Sequence, residues 1–366
     1  MKKTLLFLLT IFYTLSGFSQ IPTDYYSTAT GNGYTLKTQL NAIISNGHTD
    51  QGYSALYTAY ETSDTDLFYE NDNSVLDMYS ENPTGTDAYN YQHFSRNCGN
   101  YNSENDCYNR EHIFPQGFFN SQYPMRSDIH HVVPSDGYVN GRRSNYPFGE
   151  VSSASYTSNN GSKVGSNTFD SFTGTVFEPI DEFKGDIARM LFYFATRYQN
   201  DVTDSSWDNH DSSISNPLDG TNDQVYEDWY IKLLYKWHTN DPVSIRETVR
   251  NDEAYKFQGN RNPFIDHPEY VAEIWGSILS TENFSSISNI KVYPNPTTIN
   301  SITISIPADL TINSVVLYSV IGAKIYEAKK PVITNNKIKI QNLNNGMYLL
   351  KINDDKNSIT KKIIVK

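Results

Sequence analysis

Residues 109–149 read NREHIFPQGFFNSQYPMRSDIHHVVPSDGYVNGRRSNYPFG, and this stretch decides the fold and the chemistry. His112 follows the carboxylate Glu111, and a second polar cluster holds Asp128, His130, His131, Asn140, Arg142, Arg143 and Asn145. Ile113, Phe114 and Pro115 predict a strand ending near His112 and a turn after Pro115. Ile129 to Val133 predicts a second strand, stopped by Pro134. Ser135 and Asp136 predict a cap on a helix running through Val139, Asn140, Arg143 and Ser144. The unit is strand, strand, helix. It sets a strand-end histidine opposite a helix side chain, with room for one cation between them.

Hydrolysing a phosphodiester needs a group that deprotonates water and groups that stabilise charge on the phosphate and the leaving oxygen. Histidine suits the first task because its ordinary pKa lies near neutrality. A hydrated Mg²⁺ or Ca²⁺ on hard oxygen ligands suits the second. Glu111 offers a carboxylate and Asn140 an amide oxygen. One anionic and one neutral ligand leave the cation electrophilic and open to phosphate. The segment also carries arginines for phosphate. The scheme demands an accessible imidazole near the glutamate and a helix amide. It also demands a twist or bulge, because consecutive strand residues face opposite sides. A rival enzyme reading is a zinc hydrolase using His112, His130 and His131. It is weakened because adjacent strand histidines alternate in direction, whereas zinc ligands share a point. A non-enzymatic rival is a Ca²⁺-stabilised surface adhesin, suggested by the acidic, tyrosine-rich middle.

Composition narrows the setting. The chain has 366 residues and a formal net charge of −12, enough length for two or more domains. From Ile287 onward there are eleven lysines against four acidic residues, so the tail is basic and the body strongly acidic. An acidic body argues against general polyanion affinity. Between Tyr108 and Gly149, however, four arginines outnumber three acids, so nucleic acid would be gripped locally. Residues 1–20 combine Lys2 and Lys3 with an apolar Leu5–Leu15 stretch and small residues before Gln20, the pattern of an export signal. No later apolar run is long enough to span a bilayer. Cys98 and Cys107 are the only cysteines, and in an exported chain such a close pair is expected to bridge, contributing roughly 2–3 kcal/mol. CxxC zinc spacing is absent.

Around the key segment, Thr35 predicts a helix cap before Leu36, Leu40, Ile43 and Ile44. Residues 60–108 read as loops, and 151–175 as loops or short edge strands. Ile187, Met190, Leu191, Phe194, Ala195 and Tyr198 predict a buried helix. Further helices are predicted over about 224–238, from Ser244 with a Ser244/Glu247 capping box, and over Val271–Leu279. A linker is expected at 281–289, and beyond it short alternating strands predict a small β-sandwich.

Asn109-Arg110-Glu111-His112, Pro115, Asp128-Ile129-His130, Pro134, Val139-Asn140-Gly141 and Arg143-Ser144-Asn145 together resemble the endonuclease I family of exported nucleases, within the His-Me finger (ββα-metal) superfamily. Similarity extends to Phe177-Glu178-Pro179, to 184–189 (KGDIAR) and to 258–268 (QGNRNPFIDHP). The resemblance implies an α+β fold, with a ββα-metal core embedded in a mostly helical nuclease domain over 21–280. It implies a nuclease of little sequence preference that cuts DNA and RNA to 5′-phosphate products. His112 would be the general base, with Mg²⁺ (alternatively Ca²⁺ or Mn²⁺) on Glu111 and Asn140, Asn145 competing for the amide role. Arg143 would hold phosphate as part of the catalytic set. Arg110, Arg126, Arg142 and Asn145 are the candidate substrate contacts. Residues 290–366 resemble a type IX secretion C-terminal sorting domain through Val292-Tyr293-Pro294-Asn295-Pro296, Val320-Ile321-Gly322-Ala323-Lys324, 343–349 (LNNGMYL) and the final Lys361–Lys366. That implies export through Sec and then the type IX machinery, to the medium or the cell surface. The expected state is a monomer without a stable protein partner. A carbohydrate-binding sandwich is the alternative reading of the tail.

Overall fold

The structure, a computed structural model, describes residues 21–204, 207, 216–279, 290–307, 310–319, 323–353 and 358–366. They form two compact units that divide between Trp275 and Gly276. The leader expected at 1–20, the linker expected at 281–289 and Val320–Gly322 of the sorting motif lie outside the described residues.

The first unit is α+β. Its elements run α1 (Gly33–Ser45), α2 (Leu56–Ser63), β1 (Tyr108–His112), β2 (Val132–Asp136), α3 (Gly137–Arg143), β3 (Val151–Thr157), β4 (Lys163–Asn167), β5 (Thr175–Glu178), α4 (Lys184–Arg197), α5 (Asp228–Asn240), α6 (Ile245–Gln258) and α7 (Pro263–Asp266), and the division between the units falls within α8 (Tyr270–Leu279). Helix α1 starts two residues before Thr35, which therefore sits in the first turn and is not the cap. Leu36, Leu40 and Ile44 are buried as the spacing requires, while Ile43 is only half-buried. Helix α2 was hidden in sequence by its polar, tyrosine-rich texture. Residues 151–175 form more sheet than expected: β3, β4 and β5 pair in that order, antiparallel. Gly165 makes this pairing feasible, since a Cβ there would lie 2.2 Å from the Ser153 carbonyl oxygen. Helix α5 begins at Asp228 and not near 224, because Leu218 and Tyr226 bridge and hold the preceding chain extended.

Helix α4 is buried on nearly every side, from Gly185 to Thr196, which marks it as the central element. Its charged residues are spent internally. Arg189 Nε lies 2.5 Å from Glu247 Oε1 of α6, and Arg246 pairs with Asp186. Glu247 also closes the Ser244 capping box. Arg250 donates to Asp64 Oδ1 at 2.8 Å and to the Ile129 carbonyl at 2.8 Å. Buried charges persist only when paired, so these pairs fix where α6 sits against α2 and the chain ahead of β2.

The second unit holds β6 (Lys291–Tyr293), β7 (Ile302–Ser305), β8 (Ser314–Ser319), β9 (Lys324–Lys329), β10 (Lys337–Ile340), β11 (Gly346–Asn353) and β12 (Ser358–Val365). They make two antiparallel sheets, ordered β10-β7-β6 and β12-β11-β8-β9. Alternation along the strands turns Ile302, Ile304, Val315, Leu317, Leu350 and Ile363 into one core. This is the small all-β domain expected from the sequence.

Candidate active site

Strands β1 and β2 pair antiparallel, with Glu111 opposite Val133 and His112 opposite Val132. Helix α3 follows at once, capped by Asp136, whose Oδ1 accepts from Val139 N at 2.9 Å. The second strand starts at Val132, three residues later than Ile129. Asp128 is the cause. Its Oδ1 accepts from His130 N (3.0 Å) and Gln258 Nε2 (2.7 Å), and its Oδ2 from the Tyr193 and Tyr198 hydroxyls (2.7 Å each). That anchorage holds 128–131 as a turn. Nor does Pro134 stop the strand: it lies inside β2 opposite Arg110, as a two-stranded ribbon permits. The matched residues Gln258 and Asn260 serve this same anchorage, Asn260 through Ile44 O and Tyr193 Oη.

The turn settles the histidines. His130 Nε2 reaches Asn260 O (3.0 Å), His131 Nε2 reaches Met125 O (2.7 Å) and His112 Nε2 reaches Arg126 O (3.0 Å). Burial drives both His130 and His131 down to a pKa of about 4, so they are neutral structural donors. The three imidazoles point to three different carbonyls, and the zinc reading loses its ligand set. Among the described residues, the one group of three or more His, Cys, Asp or Glu side chains with converging ligand atoms lies elsewhere.

A carbonyl only accepts, so His112 Nε2 carries the proton and Nδ1 keeps its lone pair. The ring stacks on Tyr53 (centroids 5.7 Å apart) and meets Phe119 edge-on. It is buried, 3% exposed, against the accessible imidazole that the sequence reading demanded, because Tyr53, Phe119 and His131 pack around it. It nevertheless lines a cleft of about 510 Å³ together with Glu111, Asn140, Asn145 and Arg110. Burial, then His131, Arg126 and Arg110, hold its pKa well below the usual histidine value. Glu111 is 2% exposed. Its Oε1 accepts from Tyr79 Oη at 2.9 Å and lies 3.4 Å from Arg143 Nη1. Burial raises its pKa, opposed by Arg143, Tyr79 and the His112 amide. Glu111 and His112 share one cleft because His112 is the last residue of β1, where the regular strand ends.

Asn140 Nδ2 donates to Asn109 Oδ1 at 2.8 Å, which turns the Asn140 carbonyl oxygen away as the available acceptor. Asn145 also lines the cleft, and its amide lies over Gly117, where a Cβ would sit 2.8 Å from Asn145 Nδ2. Arg143 lines the cleft as well. It is 1% exposed, and its guanidinium donates to the carbonyls of His112 (3.1 Å) and Ile113 (2.7 Å) besides pairing with Glu111. It braces the end of β1 from beneath, and a phosphate grip would have to compete with those bonds. Arg110 lies 3.5 Å from the Tyr53 ring centre and 4.4 Å from that of Tyr57, and it donates to Tyr53 O. Arg126 covers Tyr53 at 4.5 Å. Arg142 is exposed over Tyr156 at 4.9 Å. Of these three arginines only Arg110 lines the cleft itself.

Cys98 and Cys107 are bonded. Cys98 N donates to Tyr108 O, and Cys107 O accepts from Gly137 N, so the loop is stitched to both β1 and α3. Tyr79 and Tyr53 are the site residues that sequence reading missed. They lie 32 and 59 positions before Glu111 and His112, in stretches without periodicity, and nothing local marks them.

One α+β domain thus brings a glutamate, a histidine and a helix asparagine from a ββα unit to one cleft. Residues 32–269 match Endonuclease I, and the chain belongs to that family; residues 291–366 match the secretion system C-terminal sorting domain. The chain is 36% identical over 255 residues to the extracellular ribonuclease of Bacillus amyloliquefaciens, covering 69% of this chain and 78% of that protein. The extracellular ribonuclease of Bacillus subtilis (strain 168) matches over the same shares at 36%. Endonuclease-1 of Buchnera aphidicola subsp. Baizongia pistaciae (strain Bp) is 24% identical over 141 residues, 38% of this chain and 46% of that protein. The protein is a secreted nuclease with a type IX sorting domain at its C-terminus.

Proposed function

We propose that the protein is a largely sequence-nonspecific, divalent-metal-dependent endonuclease that hydrolyses DNA and RNA to 5′-phosphate products. The observation that carries this reading is the tautomer of His112: its proton is committed to Arg126 O, so a lone pair remains on Nδ1 in a cleft shared with Glu111 and Asn140. That nitrogen takes the proton from the attacking water. The low pKa of the enclosed ring keeps it unprotonated in the resting state.

The donor set fits a Mg²⁺ ion. Glu111 is a buried carboxylate whose desolvation outweighs its partners, and a cation would repay that cost. Asn140 presents a neutral oxygen fixed by Asn109, which favours it over Asn145 as the amide ligand. When bound, the ion supplies positive charge that stabilises the scissile phosphate and the leaving 3′ oxygen. Tyr79 and Arg143 aim the Glu111 carboxylate, and Arg143 also fixes the end of β1 through His112 O. Arg110, Arg126 and Arg142 provide local positive charge for the backbone of the substrate on an otherwise acidic body. The names of the two Bacillus relatives support RNA among the substrates.

The test is cleavage of plasmid and of ribosomal RNA in Mg²⁺. His112→Ala should abolish cutting of both while DNA binding and thermal unfolding are retained, and EDTA should silence the wild type. Full activity of His112→Ala, or cutting in EDTA, refutes the assignment.

A further inference from the structure

A second group of carboxylates lies outside the cleft. Asp66 follows α2, and its side chain gathers the backbone amides of Phe68, Tyr69, Glu70 and Asn71, two on each oxygen. Those bonds fix the direction in which it points. Glu70 lies in the same loop, and Glu81 ends the turn that starts at Asp77. One oxygen from each of Asp66, Glu70 and Glu81 lies within 4.8 Å of the other two.

Glu81 is the anomaly. It is 1% exposed, and its buried Oε1 has no hydrogen-bond partner. Oε2 of Glu70 is likewise buried and unpartnered. The charged groups that act on Glu81 are Asp87, Glu70, Asp66 and Asp77, all acidic. Burial and then these neighbours push its carboxyl up to about 9. Two other buried carboxylates of this domain meet arginines, Asp64 with Arg250 and Glu247 with Arg189, and buried Asp128 is met by hydroxyl and amide donors. Among the described residues no positively charged side chain acts on Glu81 in this way. A buried carboxylate without a donor is costly.

We infer that Asp66, Glu70 and Glu81 form a second, structural cation site that binds Ca²⁺ and fastens the 66–73 loop to the 77–81 turn. Ca²⁺ takes six to eight oxygens at about 2.3–2.6 Å in flexible geometry, so three carboxylate oxygens this close can share one ion. Mg²⁺ keeps several of its waters and demands a stricter octahedron, so a site of three protein carboxylates suits it less well. The turn matters to the cleft. Asp77 accepts from Asp136 N at the start of α3, and Tyr79 donates to Glu111. The ion would therefore stiffen the piece of chain that positions both, without touching substrate.

The experiment uses the full-length protein, stripped with EDTA and exchanged into chelator-free buffer, with thermal unfolding followed with and without CaCl₂. Calcium at about 100 times its Kd should raise Tm by roughly 5–10 °C. The same rise should appear in Glu111→Gln, which disables the cleft, and should vanish in Glu81→Gln and in Glu70→Gln. Glutamine matches protonated glutamic acid in shape, so these variants keep the fold; isothermal titration of either with Ca²⁺ should count one ion fewer than wild type. Glu81→Gln should still cut DNA in Mg²⁺ well below its Tm. The inference is overturned by a wild-type Tm indifferent to calcium, by a shift that survives in Glu81→Gln, or by one lost only in Glu111→Gln. The nuclease reading is judged separately, by Mg²⁺-dependent cutting in these same proteins.

Discussion

Replacing Tyr79 by phenylalanine removes one oxygen and keeps the ring that packs 4.8 Å from Phe177. The lost group is the hydroxyl that donates to Glu111 Oε1 at 2.9 Å, with both residues at most 2% exposed. A hydrogen bond to a charged acceptor contributes about 1.5–3 kcal/mol. If that energy holds the carboxylate in its ligand geometry, the affinity for Mg²⁺ falls by a factor of roughly 10–150 at about 1.4 kcal/mol per decade. Outer partners of metal ligands commonly matter by about 10- to 100-fold, in the same range. The assay is the initial rate of plasmid nicking against Mg²⁺ concentration. Tyr79→Phe should move the half-saturating Mg²⁺ upward by one to two decades, while the rate at saturating Mg²⁺ stays within about threefold of wild type. Arg143 and the His112 amide still hold Glu111, so the fold should survive. An unchanged Mg²⁺ midpoint in a variant that has lost stability refutes the reasoning: Tyr79 would then be a packing residue, and Glu111 would not be the ligand.

Three further outcomes follow from the same structure. Lys37 is fully buried, bonded to Gln199 Oε1 and Asn222 O, and burial lowers its pKa from 10.5 to about 7. The unfolded chain then binds the extra proton between pH 7 and 10.5, so this group makes stability rise with pH across that window, by at most about 4–5 kcal/mol. Lys37→Met should flatten that rise in denaturant titrations at pH 7 and pH 10; an unchanged slope would place the titration elsewhere. Gly259 ends α6 at φ +86°, and a Cβ there would lie 2.5 Å from the Gly47 carbonyl oxygen, so Gly259→Ala should cost at least about 2 kcal/mol in urea unfolding. Ser244→Ala removes the acceptor for Glu247 N and should cost about 1 kcal/mol by the same measurement, without altering nuclease activity extrapolated to the fully folded fraction.

Some of this was legible in order along the chain. The Glu111-His112 pair, the strand ended by the Ile-Phe-Pro run, the Asp136 cap and the Asn140 position are local matters. They depend on residues within a few positions of each other, and turn and capping chemistry acts over that range. The buried helix at 187–198 and the alternating tail were equally clear, since periodicity is a property of neighbours in sequence. The start of β2 was not. It depends on Asp128 meeting Tyr193, Tyr198 and Gln258, partners 65 to 130 positions away. The assembly of 151–175, read as loops or short edge strands, into one sheet was hidden for the same reason, because it rests on pairing between three short polar strands.

What the sequence determined by itself was the ββα unit, the family resemblance, and the residue types that the chemistry needs. What only the tertiary structure decided was how each polar group is spent. Arg143 was read as a phosphate ligand from its type alone; in the fold it lines the cleft while also donating to the carbonyls of His112, Ile113 and Ser144 and pairing with Glu111. His130 and His131 supplied the rival zinc reading, yet each serves a carbonyl. Glu81 lies in a stretch that reads only as loop in sequence, yet it is buried beside Asp66 and Glu70. A side chain's type fixes which bonds it can make. Its partner is fixed by burial, because removal from water forces every donor and acceptor to find one, and that search runs through space and not along the chain.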